Sequence, residues 1–147
     1  MKFIYQTHDN QMRNGMVDIK EITESVFKLD KRIRYVAILN PRYDLVESKM
    51  REGVSSLTPA QTDRDFIRMA APLMIDSAEK LRPFCGAMRR LTVRYDKVFL
   101  ALYRTAAHLL ILSLEPQVDQ ALLDEIGNSV RKLELAVAED EDKGLSS

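Results

Sequence analysis

The stretch MRRLTVRYDKVFLALYRTAAHLLILSL, residues 88–114, decides the fold, because it holds the longest apolar run in the chain and admits either a helical or an extended reading. From Val98 to Leu114 the run is broken by Arg104, Thr105, His108 and Ser113, so it falls short of the roughly 20 apolar residues that a membrane-spanning helix needs. Extended structure fits better. From Met88 to Tyr95, Leu91, Val93 and Tyr95 alternate with Arg90, Thr92 and Arg94, the period of a strand with one wet face. Val98–Tyr103 and Ala107–Leu114 are apolar on both faces, as strands covered on both sides are. The joints at Asp96-Lys97 and Arg104-Thr105-Ala106 are hairpin-short, which predicts an antiparallel meander of three strands.

Upstream, Arg34–Leu39 is short and apolar and runs into Asn40-Pro41-Arg42-Tyr43, a turn with proline pre-set at its second position. The return strand, Tyr43–Met50, is less apolar and reads as an edge. A helix precedes this pair: Asp18 and Glu21 stand at capping-box spacing, and Ile19, Ile22, Val26 and Leu29 form one stripe that stops at Asp30-Lys31-Arg32. Thr58-Pro59-Ala60-Gln61 starts a second helix, with Thr58 as cap, Pro59 at the first helical position and Gln61 at the box position. It runs to about Arg82, with Pro72 on its polar stripe and therefore a bend rather than a break. Its apolar arc is wider than one sheet face covers. Ile67, Met74 and Ala78 fall on one side of that arc, and Phe66, Ala70, Leu73 and Leu81 are placed to cover the sheet. Glu115-Pro116 ends the meander, and Val118, Leu122, Ile126, Val130, Leu133 and Val137 mark a last helix.

The predicted class is therefore α/β (α+β), a three-layer sandwich in the order helix-strand-strand-helix-strand-strand-strand-helix around one five-stranded, antiparallel-rich sheet. Residues 1–15 read as a weakly ordered arm, 16–138 as the domain and 139–147 as an acidic, flexible tail. The chain of 147 residues, 46% apolar and 30% charged, is long enough for one self-sufficient core. A single cysteine, Cys85, and an opening segment without a signal-peptide core predict a reducing, cytoplasmic location.

Several chemistries find no footing. The five glycines lie too far apart to share a phosphate loop. The two histidines, His8 and His108, and Cys85 have no metal-ligand spacing, and Cys85 has no neighbouring base that would make it a nucleophile. No cofactor, metal or catalytic residue is expected, and the chain is read as no enzyme. Charge is balanced at 22 basic against 22 acidic residues, but it is segregated. Arg89, Arg90, Arg94, Lys97 and Arg104 crowd one region, and the chain from Gln117 onward is acidic. The Arg-Tyr neighbours at 34–35, 42–43, 94–95 and 103–104 could track a nucleic acid, but strand alternation sends tyrosine inward and arginine outward, so no nucleic acid is expected. Arg89, Arg90 and Arg94 instead read as a basic strand edge for an acidic protein partner.

The segments Val36-Ala37-Ile38-Leu39-Asn40-Pro41-Arg42-Tyr43-Asp44-Leu45-Val46-Glu47-Ser48, Glu52-Gly53-Val54, Tyr95-Asp96-Lys97-Val98 and Leu114-Glu115-Pro116-Gln117-Val118-Asp119 resemble an uncharacterised archaeal family with a Roadblock-like domain. For Roadblock domains generally, the resemblance implies a sheet with the second strand at one edge and the third at the other, dimerisation through the middle helix and third strand, and service as a platform for small GTPases. On that implication the homodimer surface takes Ile67, Ala71, Met74 and Ala78 from the helix and Leu91 and Val93 from the strand. The expected function is a non-enzymatic dimeric scaffold or regulator of another protein, a small GTPase in the first instance. The alternative is a small-molecule sensor of profilin or PAS-like architecture, which needs a cavity with convergent polar groups between helix and sheet.

Overall fold

The computed structural model describes residues 19–105 and 107–146, with side chains through 133. The expected arm, and the Asp18 cap with it, lie outside the described residues. Helix α1 is Ile19–Leu29, followed by β1, Ile33–Leu39, and β2, Leu45–Met50. The middle helix α2 has three consecutive pieces: α-helical Ala60–Asp65, a π-helical turn Phe66–Ala70, and α-helical Ala71–Glu79. A short helix α3, Arg82–Cys85, ends at Gly86, whose φ of 89° suits glycine best. Strands β3 (Arg90–Arg94), β4 (Phe99–Arg104) and β5 (Leu109–Leu114) follow, and α4, Gln120–Ser146, closes the fold.

The five strands form one sheet in the order β2-β1-β5-β4-β3, with β2 and β3 at its edges. Every neighbouring pair is antiparallel. Side-chain alternation divides the core in two. Val36, Ile38, Ala101, Tyr103, Leu110, Leu112 and Leu114 face α1 and α4, while Ala37, Leu39, Leu102, Leu109 and Ile111 face α2. Each such aliphatic side chain larger than alanine, fully buried, contributes about 1.5–3 kcal/mol. That double duty is why β4 and β5 read as greasy on both faces.

Local detail departs from the sequence pattern where geometry overrides it. Tyr43 belongs to the β1–β2 turn with a φ of 69°, and the turn is held by Asn40, whose side-chain oxygen accepts the N–H groups of Arg42 at 2.9 Å and Asp44 at 3.0 Å. The Thr58 hydroxyl donates to the Asp63 carboxylate, and among the described residues no side chain caps the backbone at the start of α2. Pro72 does not break α2. In the π-helical turn ahead of it the Ala71 N–H reaches back five residues to the Phe66 carbonyl, a widened turn that accommodates the proline ring and the Arg68 carbonyl for which proline has no donor. The backbone of α4 is helical through Ser146, past Val137, where the apolar pattern stops.

Two polar contacts tie the layers together. Arg51, at the end of β2, donates from Nε to the Ile33 carbonyl and from one terminal nitrogen to the carbonyls of Phe27 and Asp30, each at 2.7 Å. It thereby closes the C-terminal end of α1, with its guanidinium 5.1 Å above the Phe27 ring. On the same side of the sheet, the buried Tyr103 donates its hydroxyl to the Leu123 carbonyl at 2.8 Å. Gly127 lies over that ring, where a Cβ would come within 3.3 Å, so glycine permits the close approach of α4.

Candidate interaction surface

Three features meet on the α2 side of the molecule: a free strand edge, an exposed apolar helix face and a cleft. The edge is β3, which bonds β4 on one side and, among the described residues, has no strand on the other. Leu91 packs partly against the α2-side core, Val93 is half-buried, and Arg94 is exposed. Of the three arginines expected to meet a partner, Arg89 and Arg94 are exposed. Arg90 is engaged: it pairs with Asp124 of α4 at 2.8 Å and keeps only 22% of its side chain exposed.

The helix face divides differently from the sequence expectation. Ile67, Ala71 and Ile75, spaced i, i+4, i+8, are buried on the sheet, so Ile67 and Ala71 turn inward within one copy of the chain. Met74 and Ala78 are half-buried. Leu73 and Leu81, expected to cover the sheet, are instead 68% and 59% exposed, with Met69 at 66% and Phe84 at 85%. The π-helical turn explains the slip, because one extra residue in a turn rotates everything before it relative to everything after. A reading at 3.6 residues per turn across Phe66–Leu81 therefore assigns the faces wrongly.

At the C-terminal end of α2, Glu79 sits between Arg82 and Arg104, each 3.4 Å away. Asp76 accepts the Tyr43 hydroxyl at 2.8 Å, and the phenol's pKa is raised, first by burial and then by that carboxylate. These contacts fasten this end of the helix over the β1–β2 turn.

The N-terminal half of α2 leaves part of the sheet uncovered. A cleft of about 580 Å³ opens there, between Thr58–Ile67, the sheet face of Tyr35, Leu100, Ile111 and Ser113, and the β3–β4 connection Tyr95–Val98. Its walls are mainly apolar, with Tyr35 pushed up in pKa by burial and Asp63, Asp96, Lys97 and Arg34 among its polar lining. The sequence pattern did not reveal this cleft. The available signal was Ser113, the one polar residue of LLILSL, paired in register with Tyr35 of β1. No group of three or more His, Cys, Asp or Glu side chains fit to hold a metal occurs among the described residues, and His108 lies in the β4–β5 turn, half-buried. Among the described residues no helix is long and apolar enough to cross a membrane.

This arrangement, a five-stranded antiparallel sheet with β2 and β3 at its edges, two helices on one face and a long middle helix on the other, is the Roadblock/LC7 fold. Solved structures carry the same architecture at low sequence identity. The gliding protein MglB of Thermus thermophilus superposes with a TM-score of 0.61 at 12% identity, covering 84% of this chain and 88% of that one. MglB of Myxococcus xanthus gives 0.62 at 11%, covering 84% and 98%. The Roadblock/LC7 domain from Streptomyces avermitilis gives 0.60 at 12%, covering 79% and 93%. No family model and no curated protein matches the sequence.

Proposed function

We propose that the protein is a non-enzymatic, homodimeric scaffold or regulator that pairs through α2 and β3 and binds another protein, with a small GTPase as the partner class. The observations that carry this reading are the free β3 edge and, in the α2–α3 segment, the exposed Met69, Leu73, Leu81 and Phe84. An unpaired strand edge together with clustered exposed apolar side chains is a surface that proteins cover. The shared fold with MglB supports the regulatory role. Within the dimer, Met74, Ala78, Leu91 and Val93 are the half-buried members of the contact, and Ile67 and Ala71 support it from beneath. The pairing of Arg90 with Asp124 draws one cation off the strand edge, which eases antiparallel pairing of two basic strands. Arg89 and Arg94 remain for an acidic partner. A cytoplasmic, archaeal setting belongs to the same reading.

Sedimentation equilibrium of the purified chain at micromolar concentration tests the dimer, and a monomer that stays soluble sinks it. Titration with a purified small GTPase in its GDP and GTP-analogue states tests the partner class. Equal absence of binding in both states refutes it.

The cleft beneath the N-terminal half of α2 favours one second reading, a ligand-sensing domain, since it is concave, apolar and provided with Ser113 and Asp63 as polar groups. Native mass spectrometry of the chain purified from cells, showing a stoichiometric small molecule, would favour that reading over the scaffold.

A further inference from the structure

The cleft and the most exposed large hydrophobic side chain among the described residues lie at opposite ends of β3. Tyr95, Asp96, Lys97 and Val98, immediately after the strand, line the cleft. Phe84, 85% exposed, belongs to the short helix that precedes the strand. Any antiparallel pairing of β3 with a second β3 sets the start of one strand beside the end of the other. The two-fold axis that pairs the strands therefore carries Phe84 of each copy towards the Tyr95–Val98 wall of the other copy's cleft. A two-fold contact is self-complementary: what one copy offers, it must also accept. Here one chain offers both an unburied phenylalanine and an apolar cleft of about 580 Å³. The charged lining of the cleft is balanced, Asp63 and Asp96 against Arg34 and Lys97, and Arg82 is held by Glu79, so the match is one of apolar surface.

We propose that the occupant of the cleft is Phe84 of a second copy of this chain, so that each copy completes the apolar floor that the other's α2 leaves open. The inference rests on the dimer reading above and deepens it. It assigns the cleft to the assembly itself, and it makes the Arg82–Cys85 turn the anchor of the interface.

The test uses the full-length chain. A photoreactive phenylalanine analogue replaces Phe84 in one preparation, which is mixed with an isotopically heavy, otherwise unchanged chain, irradiated and digested. The expected products join the Phe84 position of one copy to residues 56–66 or 95–98 of the heavy copy. In parallel, Phe84→Ser should raise the dimer dissociation constant by more than about tenfold, as loss of a central aromatic anchor does, while Phe84→Leu restores most of the affinity. Because Phe84 is exposed within one copy, neither change disturbs the protomer core, and circular dichroism checks this. If the unaltered chain is monomeric, the dimer reading falls and this inference with it. If it is dimeric but Phe84→Ser pairs as tightly, with cross-links only outside the cleft, this inference alone is overturned. A small molecule retained in the cleft of the intact dimer overturns it in the same way.

Discussion

Arg51 shows how one side chain can close a helix end from a distance. Its three bonds to the carbonyls of Phe27, Asp30 and Ile33 are charge-assisted, and such bonds leave orphaned carbonyls behind when they are lost. Arg51→Ala is expected to lower unfolding stability by about 2–3 kcal/mol, read as a shift of the urea midpoint with an unchanged slope. Arg51→Lys should recover only part of the loss, since an ammonium cannot present the same fork. Asp30 carries a different prediction. Arg32 donates to both its carboxylate oxygens, at 2.8 and 3.0 Å, and holds its pKa down from 3.8 to about 2. A pKa depressed in the folded state contributes stability above the unfolded value that is lost as pH falls towards the folded one. The difference in stability between the native chain and Asp30→Asn should therefore shrink between pH about 4 and about 2. Tyr103 has the opposite sign. Burial pushes its phenol up from 10.0 to about 12, so its contribution is complete below pH 10 and fades as pH rises towards 12. Tyr103→Phe should flatten that alkaline decline, measured by chemical denaturation across the range.

At the level of elements, α2 tests the assignment of faces. Ile75 is fully buried and Leu73, two residues earlier, is 68% exposed. Ile75→Ala should cost about 2–5 kcal/mol of protomer stability through the cavity it opens. Leu73→Glu should leave that stability within about 0.5 kcal/mol and shift the proposed dimer towards monomer, as sedimentation velocity would report. The contrast also marks how far the sequence could be read. The meander was legible because the alternation of Leu91, Val93 and Tyr95 and the doubly apolar runs after it leave little choice of period. Edge placement of β2 followed from its mixed face, and that of β3 came with the family resemblance; both hold in the observed strand order. The face of α2 was not legible, because the π-helical turn at Phe66–Ala70 changes the period and no residue in FIRMA announces it. The cleft was illegible for a related reason: whether a helix covers the whole of a sheet face depends on where it crosses, which pattern does not encode. The engagement of Arg90 depended on Asp124, 34 residues away on α4. Sequence could place both charges but not bring them together.

For the whole molecule, the two sheet edges have unequal protection. Beside β1, β2 carries Glu47 and Lys49, and Lys49 is ion-paired to Glu24 of α1. Its register with β1 slips at Ile38/Leu39, an irregularity that twists an edge away from a flat template. Strand β3 has arginines, but one of them, Arg90, is drawn off to Asp124 of α4. If β3 meets its copy about a two-fold axis, both β3 edges are consumed and the product exposes only two β2 edges. Growth then halts at two copies because those outer strands reject further neighbours. In that proposed dimer the charges on β2 would act as chain terminators, giving a closed particle rather than a filament. Replacing Glu47 and Lys49 together with Val should remove the terminators without touching either core, and turbidity that climbs with time and concentration, from a starting population of dimers, would register the polymer that this sheet otherwise declines to become.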